Sequence, residues 1–281
     1  MIKPNLFIVG APKAGTSFLW DKLRKHQEVF FTENPEKELN YFADQELQKE
    51  SYYKYYRIKD ETKYLKCFKA AKLEKSIVDG SVSYFAYPAV PQRIHNFNPN
   101  AKIVIILRDP IKRAFSHYQM DKRMGYATKP LEEYLKSPLE YPAHYHQYIN
   151  NSLYAKNIKN YLKVFGEKQI LILHLKQIGG GDFESLYNFL EIKKDILPVE
   201  STQAINRNKV PRNFISKTLQ HNRHLATILK KVIPKGVVKL FESFLYKGAE
   251  KVEMTKTEEE ALRFCLGSDI DELKSMYNFK I

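Results

Sequence analysis

Apolar residues in this chain collect in a few short unbroken runs, separated by longer stretches where they recur every three or four positions. Leu6-Phe7-Ile8-Val9 is the first run, and Ile77-Val78-Asp79 is a short second one. The clearest strand spans 102–107, where Ile103 to Leu107 are five consecutive aliphatics, and another covers Ile170 to Leu175. Runs of this kind suit strands buried on both faces of a parallel sheet. Between them the period lengthens. A helix is expected from about Thr16 to Lys25, with Phe18, Leu19 and Leu23 on one face. A second starts at Pro110, where Asp109 is a good N-cap and proline a good first residue. Residues 50–75, rich in tyrosine and lysine, read as helices flanking a cleft. A long helix is expected over 147–165, ending near Gly166, and the remainder from about Phe214 reads as helical. Thr257 and Glu260 are expected to form a capping box for the last amphipathic helix. The alternation predicts an α/β fold with a central parallel sheet covered by helices, a helical C-terminal part, and one domain over 1–281.

The junction after the first run carries the first chemistry. Gly10-Ala11-Pro12-Lys13-Ala14-Gly15-Thr16-Ser17 turns a strand into a helix and aims backbone N–H groups at one point, where a phosphate is held well. Gly10 and Gly15 have the spacing of a P-loop, but Gly15 is followed by Thr16 and Ser17, and the lysine is Lys13, inside the loop. The fold is therefore P-loop-like and three-layered without being wired for ordinary nucleotide triphosphate hydrolysis. A second anion site is expected where the 102–107 strand emerges: the Arg108 fork, with the Ser116 hydroxyl two helical turns on. An aliphatic strand ending in Asp109 also allows a magnesium-dependent kinase. The misplaced lysine and the capping role of Asp109 count against it.

Composition narrows the partners. The net charge is +14, from 46 basic and 32 acidic residues spread along the chain. This favours anionic ligands. No zinc-finger spacing, basic helix ahead of heptads or aromatic RNA-binding signature supports nucleic acid. Cys67 and Cys265 lie far apart, which suits a reducing compartment. The first strand begins within five residues of Met1 and no apolar run approaches a membrane span, so a cytoplasmic location is expected. No metal-ligand cluster is visible, and no metal is expected.

Together these segments resemble the PAPS-dependent sulfotransferases. Pro12-Lys13-Ala14-Gly15-Thr16-Ser17 looks like their 5′-phosphosulfate loop, and the stretch from Ile103 to Tyr118 looks like their 3′-phosphate element. Lys37-Glu38-Leu39-Asn40-Tyr41-Phe42 resembles the Lys-Glu-Pro-His-Phe-Phe segment of the heparan sulfate branch, and Ser81-Val82-Ser83-Tyr84-Phe85 a Ser-Pro-Ser-Tyr segment. The resemblance covers roughly residues 5–215 and keeps the order of the motifs.

What it implies is sulfuryl transfer from PAPS (3′-phosphoadenosine 5′-phosphosulfate), leaving 3′-phosphoadenosine 5′-phosphate. The acceptor would be a hydroxyl or amine of a glycan, a glycolipid or a small metabolite. Lys13, Ala14, Gly15, Thr16 and Ser17 would hold the 5′-phosphate, and Arg108 and Ser116 the 3′-phosphate. Lys13 would stabilise the leaving group and Glu38 would be the general base. Lys209 and Arg212 fall where the family has a basic loop over the cofactor. His117 reads as structural. The chain departs from the family at Leu39 and Asn40, and at Gly80, where the family often has a lysine. Acceptor specificity is therefore not carried over. A P-loop-like kinase, or a non-catalytic basic protein that binds nucleotides or polyanions, remains the alternative.

Overall fold

A computed structural model describes residues 2–32, 34, 36–50, 52–194, 209–211, 246–248 and 252–277. Five strands make one parallel sheet: β1 (Leu6–Gly10), β2 (Val29–Phe31), β3 (Ser76–Asp79), β4 (Lys102–Leu107) and β5 (Ile170–His174), in the order β2-β3-β1-β4-β5. The helices around it are α1 (Thr16–Leu23), α2 (Asp44–Glu50), α3 (Glu61–Lys66), α4 (Val90–Phe97), α5 (Pro110–Met124), α6 (Leu131–Lys136), α7 (Pro142–Tyr148), α8 (Tyr154–Phe165), α9 (Leu175–Gly179), α10 (Glu184–Leu190) and α11 (Lys256–Tyr277). Residues 209–211 (β6) and 246–248 (β7) form an antiparallel pair. This is the expected P-loop-like α/β architecture. Among the described residues, no helix is long and apolar enough to cross a membrane.

The unbroken aliphatic runs explain the centre of the sheet. Every residue from Ile103 to Leu107 is fully buried, and so is nearly all of β1. Each such side chain contributes about 1.5–3 kcal/mol when taken from water, so these runs decide where the chain must go. A second apolar cluster joins α5, α6 and α11 through Ile111, Phe115, Leu131, Tyr134, Leu262 and Leu266. The chain leaves β1 toward β2 and β3 on one side and continues to β4 and β5 on the other. The carboxyl end of β1 is thus the switch point where open parallel sheets bind ligands.

The helix expected over 147–165 is two helices. α7 ends at Tyr148, a 3-10 turn covers Asn150–Ser152, and α8 starts at Tyr154. The break has two causes. Arg113 takes the carbonyls of Gln147 and Tyr148 (2.9 Å for the latter). The new N-terminus is capped from afar by Asp269 of α11, whose carboxylate accepts from Ala155 N and Lys156 N at 3.0 Å each. The last capping box also sits two residues earlier than expected. Thr255 and Glu258 form it, with Glu258 N donating to Thr255 Oγ1 at 3.2 Å and Thr255 N to Glu258 Oε2 at 2.8 Å. In 50–75 the helices are the end of α2 and α3. The segment 52–58 between them is not helical, because its tyrosines reach different partners, as described below. The remainder from Phe214 is not helical throughout: Tyr246–Gly248 is strand β7, held by its pairing with β6, and the rest of 214–251 lies outside the described residues.

Candidate active site

The loop after β1 is held tightly at its base. A Cβ on Gly10 would lie 2.5 Å from the Cβ of Phe85, so only glycine fits there. Gly15 has φ +97°, and a Cβ on it would lie 2.4 Å from Leu175 Cδ1. Ala11 N donates to Ile106 O at 2.8 Å, which ties the loop to β4. Lys13 takes φ +67°. No side chain caps the N-terminus of α1; Ala14 N donates to Ala11 O at 3.1 Å and Phe18 N to Gly15 O at 3.0 Å, which leaves the Thr16 and Ser17 amides at the helix start to face an anion. Ala14 and Thr16 are buried, while Gly15 and Ser17 are half-buried.

Lys13 turns back toward α5, its Nζ 3.5 Å from Met120 Sδ. Burial lowers its pKa to about 8, helped by Arg123, Arg108 and Arg113 and opposed by Asp121. Arg108 donates to Lys13 O at 3.0 Å, so the same guanidinium that emerges from β4 buttresses the loop. Its own pKa is lowered, chiefly by burial. Ser116, Met120 and Arg123 follow one another on one face of α5 at helical spacing. Lys13, Arg108, Arg113 and Arg123 thus converge on one region, and Asp121 is the carboxylate among them. That carboxylate accepts hydrogen bonds from the hydroxyls of Tyr52, Tyr53 and Tyr148. The donor set fits phosphate groups, and among the described residues no group of three or more His, Cys, Asp or Glu could hold a metal ion.

A pH test follows from Lys13. With its folded pKa lowered from 10.5 to about 8, affinity for inorganic pyrophosphate is expected to fall as pH rises through about 8. Stability of the empty protein should move the other way. Between about 8 and 10.5 the unfolded chain holds a proton that folded Lys13 has released, so this group adds stability as pH rises through that window. Calorimetry and thermal melts across the window check both signs.

Glu38 is placed by β3. Leu39 N and Asn40 N both donate to Ser81 Oγ at 3.0 Å. That hydroxyl donates to Asp79 Oδ1 at 2.5 Å. The other oxygen of Asp79 accepts from Tyr64 at 2.7 Å and Tyr84 at 2.9 Å. Burial raises the Asp79 carboxyl above its ordinary range, against the pull of these donors. Asn40, at φ +54°, donates to Tyr56 O at 2.9 Å and accepts from Ser83 Oγ at 2.6 Å. Glu38 itself is half-buried. It lies within electrostatic reach of Tyr55, whose hydroxyl is raised first by burial and then by Glu38.

Arg113, fully buried, joins the two sides. It donates to Ser152 Oγ at 2.7 Å, to Pro12 O at 3.5 Å and to His117 Nδ1 at 3.2 Å. His117 Nε2 is left to donate to Tyr53 Oη at 3.0 Å, and Tyr53 donates on to Asp121. Burial and the Arg113 charge hold His117 well below its ordinary pKa, so it is a neutral relay.

The structure therefore brings residues 13–17 and Arg108 together at the carboxyl ends of β1 and β4, and Glu38 to the end of β3, while Ser116 lies on α5 two turns beyond Arg108 with no bond that ties it to either. Lys209 is described in backbone only, paired with Gly248, and Arg212 lies outside the described residues. Sequence reasoning missed Asp79, Ser81, Arg113, Asp121 and Arg123 as site residues. One signal was present: Arg113, His117 and Asp121 recur at i, i+4 and i+8 on the buried face of α5.

A family profile described as "Sulfotransferase domain" matches residues 3–257. Human carbohydrate sulfotransferase 15 (Homo sapiens) is 25% identical over 277 residues, covering 75% of this chain and 48% of that protein. Heparan sulfate glucosamine 3-O-sulfotransferase 5 of Mus musculus is 28% identical over 183 residues, covering 60% of this chain and 47% of that protein. The chain spans about half the length of the curated relatives it matches. The crystal structure of a sulfotransferase from Alicyclobacillus acidocaldarius superposes with a TM-score of 0.69 at 25% identity, covering 100% of this chain and 98% of that one.

Proposed function

This chain belongs to the sulfotransferase domain family, and on that premise we propose that it moves a sulfuryl group from PAPS to a hydroxyl or amine of a glycan, a glycolipid or a small metabolite. The observation that supports the donor assignment is the tie between the arginine that leaves β4 and the glycine-bounded loop that leaves β1. Arg108 is bonded to the backbone of the Lys13 loop and has Ser116 two turns further along α5. PAPS supplies, when bound, a sulfuryl group on a phosphate leaving group. The Thr16 and Ser17 amides and hydroxyls hold that phosphate, and Arg108 and Ser116 hold the one at the 3′ position. Lys13 keeps positive charge where negative charge develops as the leaving group departs. Glu38 takes the acceptor proton. Glycan acceptors are favoured by the carbohydrate-directed names of the relatives.

Because Arg108 and Ser116 address a phosphate that ordinary adenine nucleotides lack, 3′-phosphoadenosine 5′-phosphate should bind much more tightly than 5′-AMP. One charge-assisted hydrogen bond is worth about 1.5–3 kcal/mol, or roughly 10- to 100-fold. Calorimetry with the two nucleotides is the test. Equal affinity would overturn the donor assignment, and tighter binding of ATP with magnesium would favour a kinase.

A further inference from the structure

Lys37 has no part in the scheme above, yet its setting is unusual. Its amino group is buried and has no hydrogen-bond partner in the structure. The charged side chain that acts on it is its neighbour Glu38. The other nearby carboxylate, Asp79, is taken up by Ser81, Tyr64 and Tyr84. The lysine stem runs past Gly80, at the carboxyl end of β3. A Cβ built on Gly80 would lie 3.6 Å from Lys37 Cε and 4.0 Å from the Phe31 ring. The amino group thus occupies space that a long side chain from position 80 would otherwise fill, next to the strand that carries the Lys13 loop.

A purely structural side chain here would do better without the nitrogen. Burying an amino group with no partner is costly whether it is charged or neutral, and methionine fills nearly the same volume at no such cost. A retained amino group at a strand end, one residue from Glu38, points to an anion that arrives with the ligands. If Glu38 receives the acceptor proton, one anion comes within reach of that position in every turnover, whatever the acceptor: the sulfuryl group.

We propose that Lys37 is a further catalytic residue, donating a hydrogen bond to a non-bridging oxygen of the sulfuryl group as it passes to the acceptor. The proposal rests on the sulfotransferase reading. In the step, the acceptor oxygen or nitrogen forms a bond to sulfur as the bridging S–O bond breaks. The bonding pair leaves with the phosphate beside Lys13, and the acceptor proton goes to Glu38. Lys37 exchanges no proton. It offsets charge on the group in flight, and the incoming oxygen gives its amino group the partner it lacks.

The test needs no knowledge of the acceptor. PAPS and 3′-phosphoadenosine 5′-phosphate are titrated into wild type and Lys37→Met, and both proteins are melted. The variant should melt no lower than wild type, bind the desulfated nucleotide as before, and lose roughly tenfold in affinity for PAPS. Lys37→Ala should lose the same affinity, and Lys37→Ala combined with Gly80→Lys should recover it, because shortening residue 37 frees the space beside Gly80 for the second lysine. Unchanged PAPS affinity in Lys37→Met would overturn the proposal, as would an equal loss for both nucleotides or a clear loss of stability. If wild type binds neither nucleotide, the sulfotransferase reading itself fails and Lys37 loses its ligand with it.

Discussion

Glu38→Gln is expected to lower turnover by about 10²–10⁴-fold, the range for a lost general base, while nucleotide affinity stays nearly unchanged. The separation follows from where the residue is anchored. Its segment hangs on Ser81 and Asp79 at the end of β3, whereas the nucleotide loop follows β1. Glutamine keeps the size of glutamate, and the Leu39 and Asn40 amides that fix the backbone are untouched. Turnover with a cognate acceptor and calorimetry with 3′-phosphoadenosine 5′-phosphate check the two halves. Wild-type turnover in the variant would move the base elsewhere, and the obvious substitutes are already engaged. Asp44 pairs with Arg57 at 2.8 Å, and both ring nitrogens of His117 are hydrogen-bonded. Glu36 would then be the residue to replace.

Lys13→Met is expected to behave differently. On the proposed role of Lys13 at the leaving group, its removal should cost about 10²–10³-fold in rate. Nucleotide binding should weaken as well, because the same amino group belongs to the phosphate loop. The empty protein should melt higher, since the variant relieves an ammonium that is buried among Arg108, Arg113 and Arg123. A gain in melting temperature with a loss of turnover separates a functional lysine from a structural one. Retained turnover in Lys13→Met would remove Lys13 from the chemistry.

The parts of this molecule that local pattern can dictate were legible in the sequence. Ile103 to Leu107 has no plausible fate but a buried strand, and Asp109-Pro110 announces the helix that follows: Asp109 accepts from Lys112 N at 2.8 Å. The loop from Gly10 to Ser17 was legible because its glycines are demanded by close approach. What escaped was set by partners distant in sequence. The periodicity through 147–165 is continuous, and nothing local reveals that Arg113 claims the carbonyls of 147 and 148 or that Asp269 caps the next helix. Thr255 and Thr257 each precede a glutamate three residues on, so the two capping boxes look alike until the helix start is known. Glu38 could be picked out by motif. The Ser81 hydroxyl that holds it lies 42 residues beyond Leu39, joined to it only through the sheet.

The double use of the Ser81 hydroxyl has a consequence for how such a protein can change. Leu39 and Asn40 hang on Ser81 just past the end of β3, and β3 pairs with β1, so the Glu38 segment and the phosphate loop are referred to each other through two adjacent strands, which lie about 4.8 Å apart. That spacing belongs to the sheet and does not depend on what the remaining walls of the cleft recognise. Tyr52 and Tyr53 sit on a non-helical connection docked through side-chain hydroxyls to Asp121, and substitutions there leave the strand ladder intact. A library that randomises the tyrosine connection and spares positions 79 and 81 should keep the Glu38 segment on β3, and any change it makes in Lys13 will travel through Asp121.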